Sequence, residues 1–242
     1  MKINLSNCDF YYLTHRNPVR KNNIRSQFSK YPEANLTEIN PAAMTDLKKT
    51  QSGATGFSRM IDAGCQKQDR NERFKPFVCL EDDVSLKRSL DELKQVEIPD
   101  DADLLYLGLS RFGLTKVKMD NGKLKYKAKS GKVCFSSVNK DLVRIYNMLS
   151  THAILVCSFY GALTFQKCLM EDFYRQRNYD WSIAQQQPYF KVYALRSPIF
   201  YQDSSVGGQE AATKFKFKTD EENMKELLSW KNTDNLSIRT VV

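Results

Sequence analysis

Four consecutive apolar residues, Phe77-Val78-Cys79-Leu80, constrain this chain more than any other stretch. They stand between Lys75-Pro76 and three successive acids, Glu81-Asp82-Asp83. A strand with no polar alternation buries both of its faces, so it belongs inside a sheet that is covered on two sides. Such a strand implies an α/β fold, with strands and helices alternating along the chain.

The surrounding sequence supplies that alternation. "DFYYLTH" reads as a first strand, and "NPVRKNNIRSQFSKY" as a helix that begins at Asn17 as N-cap and Pro18 in its first turn. "GATGFSRMIDAGCQK" reads as a second helix behind a glycine-bearing turn, and "DADLLYLGLS" as another buried strand. Asp120-Asn121-Gly122 lies between two alternating segments, which signals a hairpin. "LVRIYNMLSTHAILVC" provides two more strands. "SFYGALTFQKCLMEDFYRQR" is the clearest helix, with Leu163, Phe165, Leu169 and Phe173 at helical spacing. "NYDWSIAQQQPY" opens a short element, and "KVYALRSPIFYQ" reads as the last strand. The expected fold is a central, mostly parallel sheet flanked by helices with a small antiparallel hairpin region.

With 242 residues the chain accommodates one domain over 1–205 and a polar tail over 206–242, read as a lid followed by a short helix. Hydrophobic residues at 41% fill a core, and no apolar run approaches the roughly 20 residues that span a bilayer. "MKINLSNCDFYYL" lacks the apolar block of a secretory signal, so the expected location is cytoplasmic and the expected behaviour soluble. Six cysteines form no CxxC pair, and Cys79 and Cys157, in apolar runs, read as reduced core thiols. Two histidines, His15 and His152, exclude a multi-histidine metal site. The net charge of +9 is read as spread out, with small clusters at "RNPVRKNNIR" and "KFKFK", which argues against nucleic acid as the partner.

In an open α/β sheet ligands bind at the carboxyl ends of the strands. Glu81, Asp82 and Asp83 stand at such an end, where three acids repel one another until a hard divalent cation neutralises them. Carboxylates suit Mg²⁺ or Mn²⁺, which keep open positions for substrate phosphates. A solvated acidic loop is the bland alternative. Gly53 and Gly56 permit either close approach to a ligand or plain helix packing. Trp181 fits a sugar-stacking role or the core, and His152 reads as structural.

The chain also resembles the lipopolysaccharide-type glycosyltransferases of family 25, which have a GT-A-like fold. The resemblance lies in six segments in order over most of residues 8–206: "FYYLTHRNPVRKNNIRSQF", "SGATGFSRMIDAG", "FVCLEDDVSL", "DADLLYLGLS", "THAILVCSFYGALTFQKCL" and "YDWSIAQ" with "KVYALRSPIFYQ". It implies transfer of a sugar from a nucleotide-sugar donor to a hydroxyl of a glycan or glycoconjugate acceptor, with Mn²⁺ or Mg²⁺. Asp83 is then the metal ligand, and Glu81 and Asp82 approach the metal, through water, or the donor's hydroxyls. Leu13 and Thr14 lend backbone groups to the nucleotide, Arg16 and Arg20 meet phosphate, and Gly53 and Gly56 lie close to the donor. Asp180 takes the acceptor's proton; an N-cap and an acceptor-binding residue are its alternatives. Where the family has Ser-His this chain has Ser58-Arg59, with Arg59 a candidate phosphate contact. Lys214, Lys216 and Lys218 are candidate lid contacts. Two other classes stay open: a metal-dependent nuclease or phosphodiesterase, and a catalytically silent binding module.

Overall fold

The computed structural model describes residues 1–14, 17–40, 47–69 and 72–208, together with Glu221, Glu222 and Lys225. Arg16, the three lysines 214, 216 and 218, and the expected lid beyond Gly208 lie outside the described residues. The chain runs through β1 (Asp9–Leu13), α1 (Pro18–Phe28), β2 (Asn35–Ile39), α2 (Lys49–Gln66), β3 (Phe77–Leu80), β4 (Val84–Leu86), β5 (Leu104–Tyr106), β6 (Phe112–Lys118), β7 (Leu124–Ser130), β8 (Phe135–Ser137), β9 (Leu142–Ile145), β10 (Ala153–Val156), α3 (Phe159–Tyr174), α4 (Trp181–Gln186), β11 (Val192–Leu195) and β12 (Phe200–Gln202).

Eight strands form one sheet in the order β2-β1-β3-β10-β5-β11-β9-β8, while β4 pairs with β12 and β6 with β7. The fold is α/β, as expected, but the sheet is mixed rather than mostly parallel. β1 is parallel to β2 and β3, and β11 to β5. The other four pairings are antiparallel, because β10 and β9 run against their neighbours. β3 is buried at every position between β1 and β10, as its composition demands.

Period-two alternation divides the strand residues between two cores. Tyr11, Cys79, Ile154, Tyr106, Ala194 and Val143 form one row across the sheet. That row faces the core beneath α2 and α3, with Phe57, Met60, Phe165 and Leu169. The alternate residues Phe10, Tyr12, Val78, Leu80 and Leu155 face the second core with Ile24 and Phe28 of α1 and Phe200 of β12. All six cysteines are free, with Cys79 and Cys157 buried in these cores. Among the described residues no helix is long and apolar enough to cross a membrane.

Local sequence explains how the helices begin. Asn17 caps α1 by accepting from the amides of Val19 and Arg20, with Pro18 in the first turn. The glycines of α2 lie inside the helix, not in a turn before it. They form part of the buried stripe Gly53, Ala54, Gly56, Phe57, Met60, Ile61 and Gly64. A Cβ on Gly64 would come within 2.5 Å of the Phe77 ring, so the missing side chains set how closely α2 approaches the sheet. In α3 the inward residues are Phe165, Cys168 and Leu169, whereas Leu163 is 64% exposed, contrary to the helical-face reading. "KVYALRSPIFYQ" is two strands interrupted near Pro198, with β11 in the main sheet and β12 paired to β4.

Gly161 lies where α3 starts against β5. A Cβ there would sit 2.3 Å from the backbone carbonyl oxygen of Asp103, which no rotamer change relieves. Gly161→Ala should therefore lower stability by about 2 kcal/mol despite its better helix propensity, measured by urea unfolding.

Candidate functional site

The cavity that carries the acids opens at the carboxyl ends of β1 and β3. It encloses about 490 Å³. Leu13 ends β1, Glu81-Asp82-Asp83 follow β3, and Ser150-Thr151-His152 lead into the antiparallel β10. Residues Asn178 to Trp181 at the start of α4, Lys49 and Thr50 at the start of α2, Arg20 of α1 and Gln202 of β12 complete much of the wall. Six elements thus converge on the end of one buried strand.

The three acids have three different surroundings. Glu81 accepts hydrogen bonds from Thr151 Oγ1 (2.7 Å) and Tyr179 OH (3.1 Å) on Oε1, and from Gln202 Nε2 (3.1 Å) on Oε2. Burial, reinforced by Asp83, pushes its pKa up to about 7. Asp82 is 2% exposed and accepts from Arg20 Nη1 at 2.9 Å. Asp83 lies 3.8 Å from the same guanidinium through Oδ2, while its Oδ1 is buried with no hydrogen-bond partner. Burial raises the Asp83 pKa and Arg20 opposes the rise.

Arg20 also donates from Nε to the Val206 carbonyl and from Nη2 to the Gly207 carbonyl, each at 2.9 Å. One side chain thereby joins α1, the acid cluster and the segment after β12. Asp203 holds that segment from the other side: its amide donates to the Asp83 carbonyl at 2.8 Å and its carboxylate accepts from Ser85 Oγ at 2.7 Å.

Asp180 occupies the N-cap position of α4, yet its side chain makes no capping bond. Asp172 does that work, accepting from the Ser182 amide at 2.9 Å and hydroxyl at 2.8 Å, with Arg177 against it. The Asp180 carboxylate is left to the cavity with Oδ1 buried and unpartnered, and burial pushes its pKa up to about 7. His152 donates to or accepts from Ser150 Oγ through Nδ1 at 2.8 Å, while its Nε2 is buried without a partner. Burial lowers its pKa to about 4, so the ring is neutral at physiological pH.

The remaining expectations divide. Leu13, Arg20, Glu81, Asp82, Asp83, Asp180 and Trp181 all line the cavity. Thr14 is buried and its amide donates to the Ile39 carbonyl at 3.2 Å, so that group holds the sheet edge rather than a ligand. Gly53 and Gly56 are not in the wall. A Cβ on Gly53 would meet the Tyr179 ring at 2.3 Å and one on Gly56 would meet Leu13 Cδ1 at 2.1 Å, so both serve helix packing, directly behind two wall residues. Arg59 is exposed and donates to the Asn40 carbonyl at 3.0 Å, away from the cavity. Tyr179, Thr151, Gln202 and Lys49 were missed. Tyr179 is next to Asp180, and Gln202 ends the last strand, but no local pattern marks Thr151 or Lys49.

Among the described residues no three His, Cys, Asp or Glu side chains are arranged to hold a metal ion together. A cation whose shell is completed by phosphates and water needs only one or two protein carboxylates. Asp83, with a buried Oδ1 that no protein group satisfies, fits that need. Glu81 fits it less well, since both of its oxygens already accept hydrogen bonds.

The raised carboxylate pKa values have a defined sign in stability. An acid whose folded pKa lies above its unfolded value contributes stability below the unfolded pKa and loses it as pH rises through the folded one. For Asp180 that window runs from the ordinary aspartate range to about 7. Asp180→Asn should match the native protein near the acid end of the window and exceed it by about 4 kcal/mol at pH 8, followed by urea unfolding across pH. A parallel decline with pH in both proteins would show that Asp180 ionises freely.

Comparison with models of known protein families and with curated protein sequences finds no match to this chain.

Proposed function

We propose that this chain is a metal-dependent, inverting glycosyltransferase of GT-A type. It moves a sugar from a nucleotide-diphosphate sugar, with a UDP-sugar favoured, to a hydroxyl of a glycan or glycoconjugate. Support comes from the six ordered segments of resemblance and from the cavity. The observation that carries the reading is that Asp180, a carboxylate with no hydrogen bond to Oδ1, shares one cavity with Asp82, Asp83 and Arg20.

In this reading the donor's diphosphate lies between Arg20, Lys49 and the acid cluster. Asp83 would hold Mn²⁺ or Mg²⁺, with Glu81 acting through water; when bound, the cation supplies Lewis acidity to the departing diphosphate. Asp180 accepts the proton of the acceptor hydroxyl as its oxygen bonds to the anomeric carbon and the bond to the diphosphate oxygen breaks. A base must be ionised to do this, so transfer should rise with pH up to about 7, the Asp180 value, and level off above it. Neutral His152 and the Glu81 hydrogen bonds keep the wall polar without adding positive charge. Trp181 offers a flat apolar surface for a sugar ring.

A donor that binds only the folded state raises apparent stability by about 2.7 kcal/mol at 100-fold excess over its dissociation constant. Thermal unfolding with UDP-, GDP-, CMP- and dTDP-sugars, each with and without Mn²⁺, should therefore give a metal-dependent shift with one nucleotide. Asp83→Asn should abolish that shift. Asp180→Asn should keep it while slowing release of nucleoside diphosphate from the donor by roughly 10² to 10⁴. Absence of a shift with every nucleotide sugar, or a shift that survives Asp83→Asn with unchanged metal dependence, contradicts the proposal.

A further inference from the structure

Positive charge is not spread evenly along the chain, contrary to the first reading. Between Arg111 and Lys132 stand eight Lys and Arg against one acid, Asp120, a net of +7 in a chain whose total is +9. This stretch is the β6–β7 hairpin, which pairs outside the main sheet.

The register sorts its residues onto two faces. Gly113 faces Lys129, Thr115 faces Lys127 and Val117 faces Lys125, so one face presents three lysines on alternate residues of β7. The other face carries Phe112, Leu114 and Tyr126, which pack with Leu149, Ala184 and Trp181, and both Phe112 and Ala128 reach the cavity wall. The hairpin is therefore a wall of the cavity on its inner face and a cationic strip on its outer one. Lys125, Lys127 and Lys129 are exposed, and none forms an ion pair with an acid among the described residues. Alternate positions on a strand lie about 6.7 Å apart, so the three stems span about 13 Å in a straight line.

Lysines on an edge strand discourage pairing with other chains, but a lysine or two suffices for that. Three unrelieved like charges on one face repel one another and are neutralised by a linear polyanion. Single-stranded nucleic acid would want aromatic platforms, and the outer face offers Thr115 and Val117 instead, while Tyr126 is turned inward. An anionic bilayer would want apolar groups beside the lysines, and Met119 near the tip is the exposed large apolar residue described on this hairpin. A cationic strip with few apolar or aromatic groups, on the back of a cavity wall, suits a charged glycan.

We infer that the outer face of the β6–β7 hairpin binds an anionic polysaccharide bearing carboxylate or phosphate groups. Resting on the transferase reading, that glycan is the acceptor, anchored through its anionic groups while one end reaches round the hairpin into the cavity.

The test is fluorescence anisotropy with labelled polygalacturonate and labelled phosphomannan, which separate carboxylate from phosphate recognition. The native chain is compared with Lys125→Gln/Lys127→Gln/Lys129→Gln. At least one glycan should bind the native chain with salt-sensitive affinity and lose roughly tenfold or more in the variant. The variant's unfolding temperature and its nucleotide-sugar thermal shift should be unchanged. Equal binding by both proteins, no binding of either glycan, or tighter binding of an oligothymidylate or of phosphatidylglycerol vesicles overturns the inference. A donor shift without glycan binding removes this inference and leaves the transferase reading standing. Glycan binding without a donor shift does the reverse.

Discussion

Three carboxylates in succession at the end of a buried strand are the constraint around which this molecule is organised. Glu81, Asp82 and Asp83 repel one another, and the burial of Asp82 and Asp83 at the end of β3 limits the water that would screen them. Each is accommodated differently. Asp82 takes the Arg20 guanidinium, Glu81 takes three neutral donors and a raised pKa, and Asp83 keeps one oxygen unsatisfied. A buried acceptor left without a partner costs on the order of 1–3 kcal/mol.

The same economy governs Asp180. The natural task for an aspartate at a helix start is to cap it, and α4 is instead capped by Asp172 from the end of α3. The substitution frees Asp180 to face the cavity with its pKa near 7. Packing behind the site is equally specific: Gly53 and Gly56 bring α2 against Tyr179 and Leu13, and Tyr179 then reaches Glu81. These glycines act on the cavity from outside it.

Much of this was legible in the sequence because it rests on local rules. The Asn17-Pro18 helix start, the all-apolar β3 and the acids at its carboxyl end follow from capping, periodicity and the strand-end rule. What stayed hidden depended on partners distant in the chain. β2, with only part-buried or exposed residues, and the three-residue β4 and β8 carry too little pattern to be seen alone. The mixed character of the sheet comes from β10 inserting between the earlier strands β3 and β5 and from β9 lying antiparallel to both β11 and β8, which periodicity does not encode. Leu163 keeps helical spacing but falls on the outer side of α3, and Arg59 falls on the outer side of α2. The lysine strip is visible only once the hairpin register puts residues 125, 127 and 129 on one face.

The central claim is that this one cavity receives a metal-bound nucleotide beside Asp83 and presents its sugar to Asp180. It is tested most directly by anomalous diffraction from Mn²⁺ in crystals grown with a nucleoside diphosphate. A manganese peak within coordinating distance of Asp83 Oδ1, with the diphosphate reaching toward Arg20, is the expected result. A peak elsewhere on the molecule, or nucleotide bound outside this cavity, would contradict the account.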